Sequence, residues 1–195
     1  GLSIKKYPMC YATHRVIDGV LDMVMAHDLK AEDVSEARVS IGVAQASMLR
    51  NHSPVTGLEA KFSLEFAVAS ALVARKVGLQ QLTDGFVSQA SVREAMPKVK
   101  TSSVDTHCPI EPSFAFADRV VLELRDGRSL DSGDIRFARG NAKLPLGEAE
   151  LRAKFIDCAS ALGEAAANGL YDRLCRLGEL DSVRNLATQT AAAAA

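Results

Sequence analysis

Between positions 9 and 27 the apolar residues Ala12, Val16, Ile17, Val20, Leu21 and Val24 recur at helical spacing, while Arg15, Asp18 and Asp22 occupy other faces. This spacing predicts a helix, with Pro8 in its first turn, where a missing N–H costs nothing. From 37 to 49 the period shortens to two: Val39, Ile41 and Val43 alternate with Arg38, Ser40 and Gly42, the pattern of a strand with one buried face. Asn51-His52-Ser53-Pro54 reads as a turn, and Thr56 with Glu59 forms a capping box for a second helix over about 57–77, whose Phe62, Phe66, Val68, Ala69 and Leu72 mark it as the core helix. Thr83-Asp84 caps a shorter helix, Ser91 with Glu94 opens another that must end near Pro97, and 98–104 is a strand. Over 117–137 two alternating runs flank Asp126-Gly127, a strong hairpin signal. Helices over 148–162 and 168–177 complete an order that is α+β, with no βαβ alternation.

Composition narrows the functional classes. The chain has 195 residues, 48% of them hydrophobic and 24% charged, enough for one well-buried core. Lys plus Arg number 23 against 24 Asp plus Glu, so the formal charge of -1 supplies no field for a phosphate backbone, and nucleic acid is not expected as a partner. No apolar run is long enough to cross a bilayer, and the opening GLSIKKYPMC lacks a signal-peptide core, so a cytoplasmic protein without a membrane partner is expected. Cys10, Cys108, Cys158 and Cys175 are scattered, which indicates neither zinc knuckle nor disulfide framework; they are expected as buried fillers, Cys10 excepted. The start at Gly1 and the closing TQTAAAAA are read as signs of a fragment.

The densest chemistry lies in the first eighteen residues. Lys5 and Lys6 precede the predicted helix, and two ammonium groups beside a helix N-terminus form a cradle for a carboxylate. His14 and Asp18, one turn apart, share a face on which the carboxylate would orient the imidazole and raise its basicity, and a lysine dried by its surroundings can also act as a base. The same spacings equally describe a solvated helix entry and an ordinary surface pair, and both readings stay open. Asn51-His52-Ser53-Pro54 either presents a side chain to a ligand or only turns the chain. His107-Cys108 is a poor thiolate–imidazole pair because neighbours in an extended chain point opposite ways. No G-x-G-x-x-G, G-x-x-x-x-G-K, G-x-S-x-G or H-E-x-x-H is present, and the four His form no metal constellation, so neither cofactor nor metal is expected.

K-K-Y-P-M-C-Y-A-T-H-R, from Lys5 to Arg15, resembles the K-x-Y-P-x-C-x-x-x-H segment of the MmgE/PrpD family, which includes 2-methylcitrate dehydratase, cis-aconitate decarboxylase and iminodisuccinate epimerase. The stretch from Pro54 to Phe66 is similar to the family's P-x-T-x-x-E-A-K-F-S-L segment, and that from Glu150 to Ala159 to its late E-L-x-x-K-F-x-D-C helix. The resemblance implies the C-terminal portion of such an enzyme: an α+β, lid-type domain over 1–145 with a small mixed or antiparallel sheet packed by helices, then helices over 146–186 returning to an all-helical domain outside this sequence, then a tail over 187–195 without folding content. It also implies a homodimer, and a small di- or tricarboxylate as substrate, from which a proton or carbon dioxide is lost without any cofactor.

Carried over residue by residue, Lys5 matches the family's cleft lysine, expected to bind a carboxylate and to stabilise developing charge, with base function open to it. Cys10 stands where decarboxylases place a histidine, which speaks against decarboxylation; Tyr7 and Cys10 are expected near the substrate. His14 closes the motif and is expected as a second catalytic group. Phe62 and Phe155 are expected in the core, with Lys61 and Lys154 paired to a carboxylate or a helix end. The implied activity is a 2-methylcitrate dehydratase-like hydro-lyase; an epimerase or decarboxylase of the same family, or a non-catalytic module for domain covering or dimerisation, are the alternatives.

Overall fold

A single 3-10 turn, Tyr11–Thr13, leads into helix α1 (His14–Ala26) in the computed structural model, which describes residues 1–180, 182–184 and 186. The predicted apolar stripe is the buried one, with Val16, Ile17, Val20 and Val24 fully enclosed. Pro8 lies ahead of the helix, in a bend, and not in its first turn. The Cys10 N–H donates to the Lys61 carbonyl at 2.9 Å, so helical geometry begins only at Tyr11.

Strand β1 (Val34–Gly42) buries Val34 and, past a register shift between Val34 and Glu36, Ala37, Val39 and Ile41 in alternation, and it stops before the predicted end. The side-chain carbonyl of Gln45 accepts the Gly42 N–H at 3.1 Å and that of Ala115 at 2.8 Å, which turns the chain into α2 (Val43–Met48) and leaves Val43 exposed. The single helix predicted over 57–77 is two, α3 (Gly57–Ala60) and α4 (Leu64–Ala74). Thr56 and Glu59 form the expected capping box, but Ser63 is a second N-cap, accepting the Phe66 N–H at 3.1 Å, and the carbonyls of Lys61 and Phe62 serve Cys10 and Asn51. Phe62 therefore sits on a break and is 44% exposed, against the expectation that it lies in the core. Helix α4 holds the centre, with Phe66, Ala67, Val68, Ala69, Ala71 and Leu72 all buried.

Thr83 caps α5 (Asp84–Val87), followed by α6 (Ala90–Ala95), with Pro97 in the 3-10 turn that ends it. Gly57 has no substitute here: a Cβ on it would stand 2.0 Å from the Leu82 carbonyl oxygen. Strands β2 (Val99–Val104), β3 (Arg119–Leu124) and β4 (Ser129–Asp131) complete a mixed sheet of order β2-β1-β3-β4. β1 and β2 are parallel, with Ala37 opposite Val99, which requires the long helical connection between them; the other pairs are antiparallel. The β3–β4 hairpin turns at Asp126-Gly127, where Gly127 takes φ +89°.

The chain divides into two compact units, Gly1–Pro145 and Leu146–Ala195. In the second, α7 (Glu148–Cys158) and α8 (Glu164–Cys175) are joined through Ser160–Leu162, so the last helix begins four residues before its predicted start. Arg152 links them, donating to Asn168 at 3.1 Å and to Asp172 at 2.6 Å, and the Phe155 ring meets Tyr171 edge-on at 5.4 Å. Phe155 and Lys154 are half-buried, and α7 has no fully buried residue, which corrects the core position expected for Phe155. The tail expected over 187–195 lies outside the described residues.

The break at Phe62 and the enclosure of Phe66 separate two residues that share one sequence motif. Phe66→Ala is expected to lower stability by about 3–5 kcal/mol in urea unfolding, and Phe62→Ala by about 1 kcal/mol or less.

Candidate active site

Lys5 is exposed, and its Nζ donates to the Met9 carbonyl at 3.2 Å. Ahead of it the chain is held by the Ile4 N–H on the Gly140 carbonyl at 2.7 Å. Tyr7 is buried and its hydroxyl donates to Asp18 Oδ1 at 2.6 Å. Burial, reinforced by the Asp18 charge, holds that phenol well above its usual range, so it stays a donor. Asp18 also accepts the Arg139 N–H at 2.7 Å, and the Arg139 guanidinium reaches Asp18 at 3.3 Å and both Asp22 oxygens at 2.8 and 2.9 Å.

These contacts reassign three expected roles. The Asp18 carboxylate accepts from the Tyr7 hydroxyl and from the Arg139 backbone and guanidinium. His14 is fully buried between the rings of Tyr7 and Tyr11, at centroid distances of 5.2 and 5.1 Å, with Nε2 at 3.4 Å from the Met9 carbonyl. It braces the motif from inside and offers no surface to solvent. Tyr7 likewise turns its hydroxyl inward, and Cys10 is half-buried, so Lys5 is the one of the four expected site residues that faces solvent. Cys108 is buried as expected, whereas Cys158 and Cys175 are exposed, and all four cysteines are free.

The first two family-like segments meet along one rim. Met9 holds Lys5, the next residue, Cys10, donates to Lys61, and Phe62, next again, accepts the Asn51 N–H at 3.2 Å. Beside Asn51 stands His52, whose Nδ1 is 2.8 Å from Glu65 Oε1. Spacing gave no sign of this pair, because its members lie thirteen positions apart on either side of the helix break.

Behind the rim, Arg15 is buried among Glu111 (2.7 Å), the Ala115 carbonyl (2.9 Å) and Asp118 (3.6 Å). Gln45 donates to the other Asp118 oxygen at 2.8 Å. Two carboxylates thus share one enclosed guanidinium, and desolvation raises the Asp118 carboxyl to about 7, against the opposing pull of Arg15 and Gln45.

A cavity of about 310 Å³ lies elsewhere in this unit, lined by Asp18, Asp22, His27, Asp131, Ser132 and Arg139 among others. Its one arginine is engaged by Asp18 and Asp22, so it is a poor receptor for a polycarboxylate, and Lys5 is not in its wall. Among the described residues no cluster of three or more His, Cys, Asp or Glu is placed to hold a metal ion, and no helix is long and apolar enough to cross a membrane.

The fold is an α+β domain with a mixed sheet whose N-terminal Tyr7-Pro8 segment is pinned to its first helix through Asp18. Residues 7–172 match the MmgE/PrpD C-terminal domain, and the chain belongs to the MmgE/PrpD family as that C-terminal portion. None of the curated proteins matches it.

The Asp118 carboxyl gives the fold a pH dependence of definite sign. Its folded value of about 7 lies above the ordinary 3.8, so the native state holds the proton more tightly, and stability falls as pH rises from about 4 to about 7 and levels off above. Urea unfolding at pH 5 and pH 8 is expected to show this loss, on the order of a few kcal/mol at most. Asp118→Asn, neutral throughout, should flatten the slope; an unchanged slope would assign it to other groups.

Proposed function

We propose that this chain is the C-terminal part of a cofactor-independent MmgE/PrpD hydro-lyase, 2-methylcitrate dehydratase-like, acting on a small di- or tricarboxylate. The observation that carries this reading is the presentation of Lys5: its ammonium faces solvent while the residues around it are locked inward. Family membership supports a lyase or isomerase, and Cys10 at the position of the decarboxylases' histidine favours dehydration over loss of carbon dioxide.

The chemistry asks for two things. A cation must neutralise a substrate carboxylate, so that electron density moving onto it from the neighbouring carbon costs less, and a base must take the proton from that carbon. In dehydration the C–H bond breaks, its electron pair becomes the new C=C bond, and the hydroxyl on the adjacent carbon leaves as water after accepting a proton. Lys5 fills the first role. An all-helical domain of the same protein closes the site, and a homodimer in the cytoplasm is the form in which we place the enzyme.

Proton NMR in heavy water tests this on the full-length protein with 2-methylcitrate, citrate, cis-aconitate and aspartate-derived iminodiacids. Water loss from 2-methylcitrate is expected, and Lys5→Ala should lower turnover by about 10²–10³-fold with thermal stability unchanged. Inversion or carbon dioxide release would identify the epimerase or decarboxylase instead. Full turnover in Lys5→Ala would make this domain a non-catalytic cover.

A further inference from the structure

The loop from Asn51 to Pro54 is anchored more firmly than a surface turn requires. The Asn51 N–H and side-chain amide donate to the Phe62 and Glu59 carbonyls at 3.2 and 2.8 Å, and Arg93 donates to the Pro54 carbonyl at 2.8 Å and to the Ser53 hydroxyl at 3.1 Å. What these bonds hold in place is His52, whose side chain is 76% exposed while its partner Glu65 is only 13% exposed. Glu65 lies in the first turn of α4, where a helix N-terminus favours a carboxylate, and its other oxygen is 3.4 Å from the Ser63 hydroxyl. A carboxylate so fixed takes a proton on Nδ1 as its hydrogen-bond donor, which leaves Nε2 as the basic nitrogen.

A hydrogen bond between an exposed imidazole and a carboxylate contributes little to stability, about 1 kcal/mol or less, so folding alone does not call for it. Its position has a different logic. The backbone bonds Asn51 to Phe62 and Cys10 to Lys61, with Lys5 on Met9, tie the segment that carries His52 to the segment that carries Lys5. The same stretch exposes Val55, Leu58 and Phe62, an apolar border of the kind that interaction surfaces carry.

We propose that His52 is the proton-accepting residue of the reaction in which Lys5 binds the carboxylate, and that Glu65 is its positioning residue. The inference rests on the hydro-lyase reading above and adds the base that it lacks: Nε2 takes the proton from the carbon next to the carboxylate and returns it to the departing hydroxyl, which leaves as water.

The test uses the full-length protein and the substrate on which it turns over. His52→Ala is expected to lower kcat by about 10²–10⁴-fold with little change in KM, and added imidazole should restore part of the rate. Glu65→Gln should lower kcat by about tenfold while KM stays constant. Wild-type turnover in His52→Ala alongside a dead Lys5→Ala would overturn this inference and leave the hydro-lyase reading standing. Loss of rate that imidazole does not restore would also overturn it, reducing His52 to a structural part. If Lys5→Ala too retains full turnover, it is the functional reading itself that fails.

Discussion

A guanidinium cannot shed its charge, so an arginine enclosed as fully as Arg15 must be answered by fixed partners, and the course of this domain follows from that requirement. All of its answers come from one stretch, 111–118, which has almost no regular structure of its own: Glu111, the Ala115 carbonyl and Asp118, with the Phe114 ring beneath the cation. Gln45 extends the lock into a third segment, since its amide donates to Asp118 while its carbonyl accepts from Gly42 and Ala115. Removing Arg15 would leave Glu111 and Asp118 without their shared cation, and these bonds give an irregular loop a single path. The cost is a second carboxylate for one cation, and Asp118 bears it.

The same device recurs at the other end of the motif in a form that serves the surface. Arg139 draws Asp18 and Asp22 together on α1, and Asp18 in turn takes the Tyr7 hydroxyl. Between these two anchored points, Tyr7 and Arg15, His14 fills the space between the two tyrosine rings, and Lys5 lies between the Tyr7 anchor and the Ile4 N–H on the Gly140 carbonyl. A flexible lysine gains its value as a binding group from such a base. Only its own side-chain torsions remain to be ordered when a carboxylate arrives.

What could be read in the sequence was what neighbours along the chain decide. The stripe of α1, the caps at Thr56 and Thr83 and the hairpin at Asp126-Gly127 are local chemistry, and each is where spacing puts it. The end of β1 and the break at Lys61–Ser63 are fixed in part by donors far away in sequence, the Cys10 N–H on Lys61 and the Ala115 N–H on Gln45, which no local window contains. Site residues divide along the same line. Lys5 is an expectation that only its motif supplies, and the pairing of Asp18 cannot be read from spacing: Arg15 and His14 are its basic neighbours on the helix, but Arg139, contributed by a segment 121 positions on, and Tyr7 hold its oxygens. The His52–Glu65 pair escaped notice because a continuous helix over 57–77 puts Glu65 well inside it, while the second cap at Ser63 returns Glu65 to a helix start beside the loop.

The exposed apolar border at Val55, Leu58 and Phe62 bears on how strongly the Lys5 rim can act under the proposed reading. Two opposite charges about 4 Å apart attract by about 1 kcal/mol in bulk water and by about 4 kcal/mol near a protein surface of lower effective dielectric. An ammonium facing open water therefore holds a carboxylate weakly and stabilises a developing negative charge little better than solvent does. Covering the apolar border would remove water from the same rim, strengthening the attraction without moving a single residue of this domain. The domain then supplies placement, the surface that covers it supplies the dielectric, and catalytic strength belongs to neither alone.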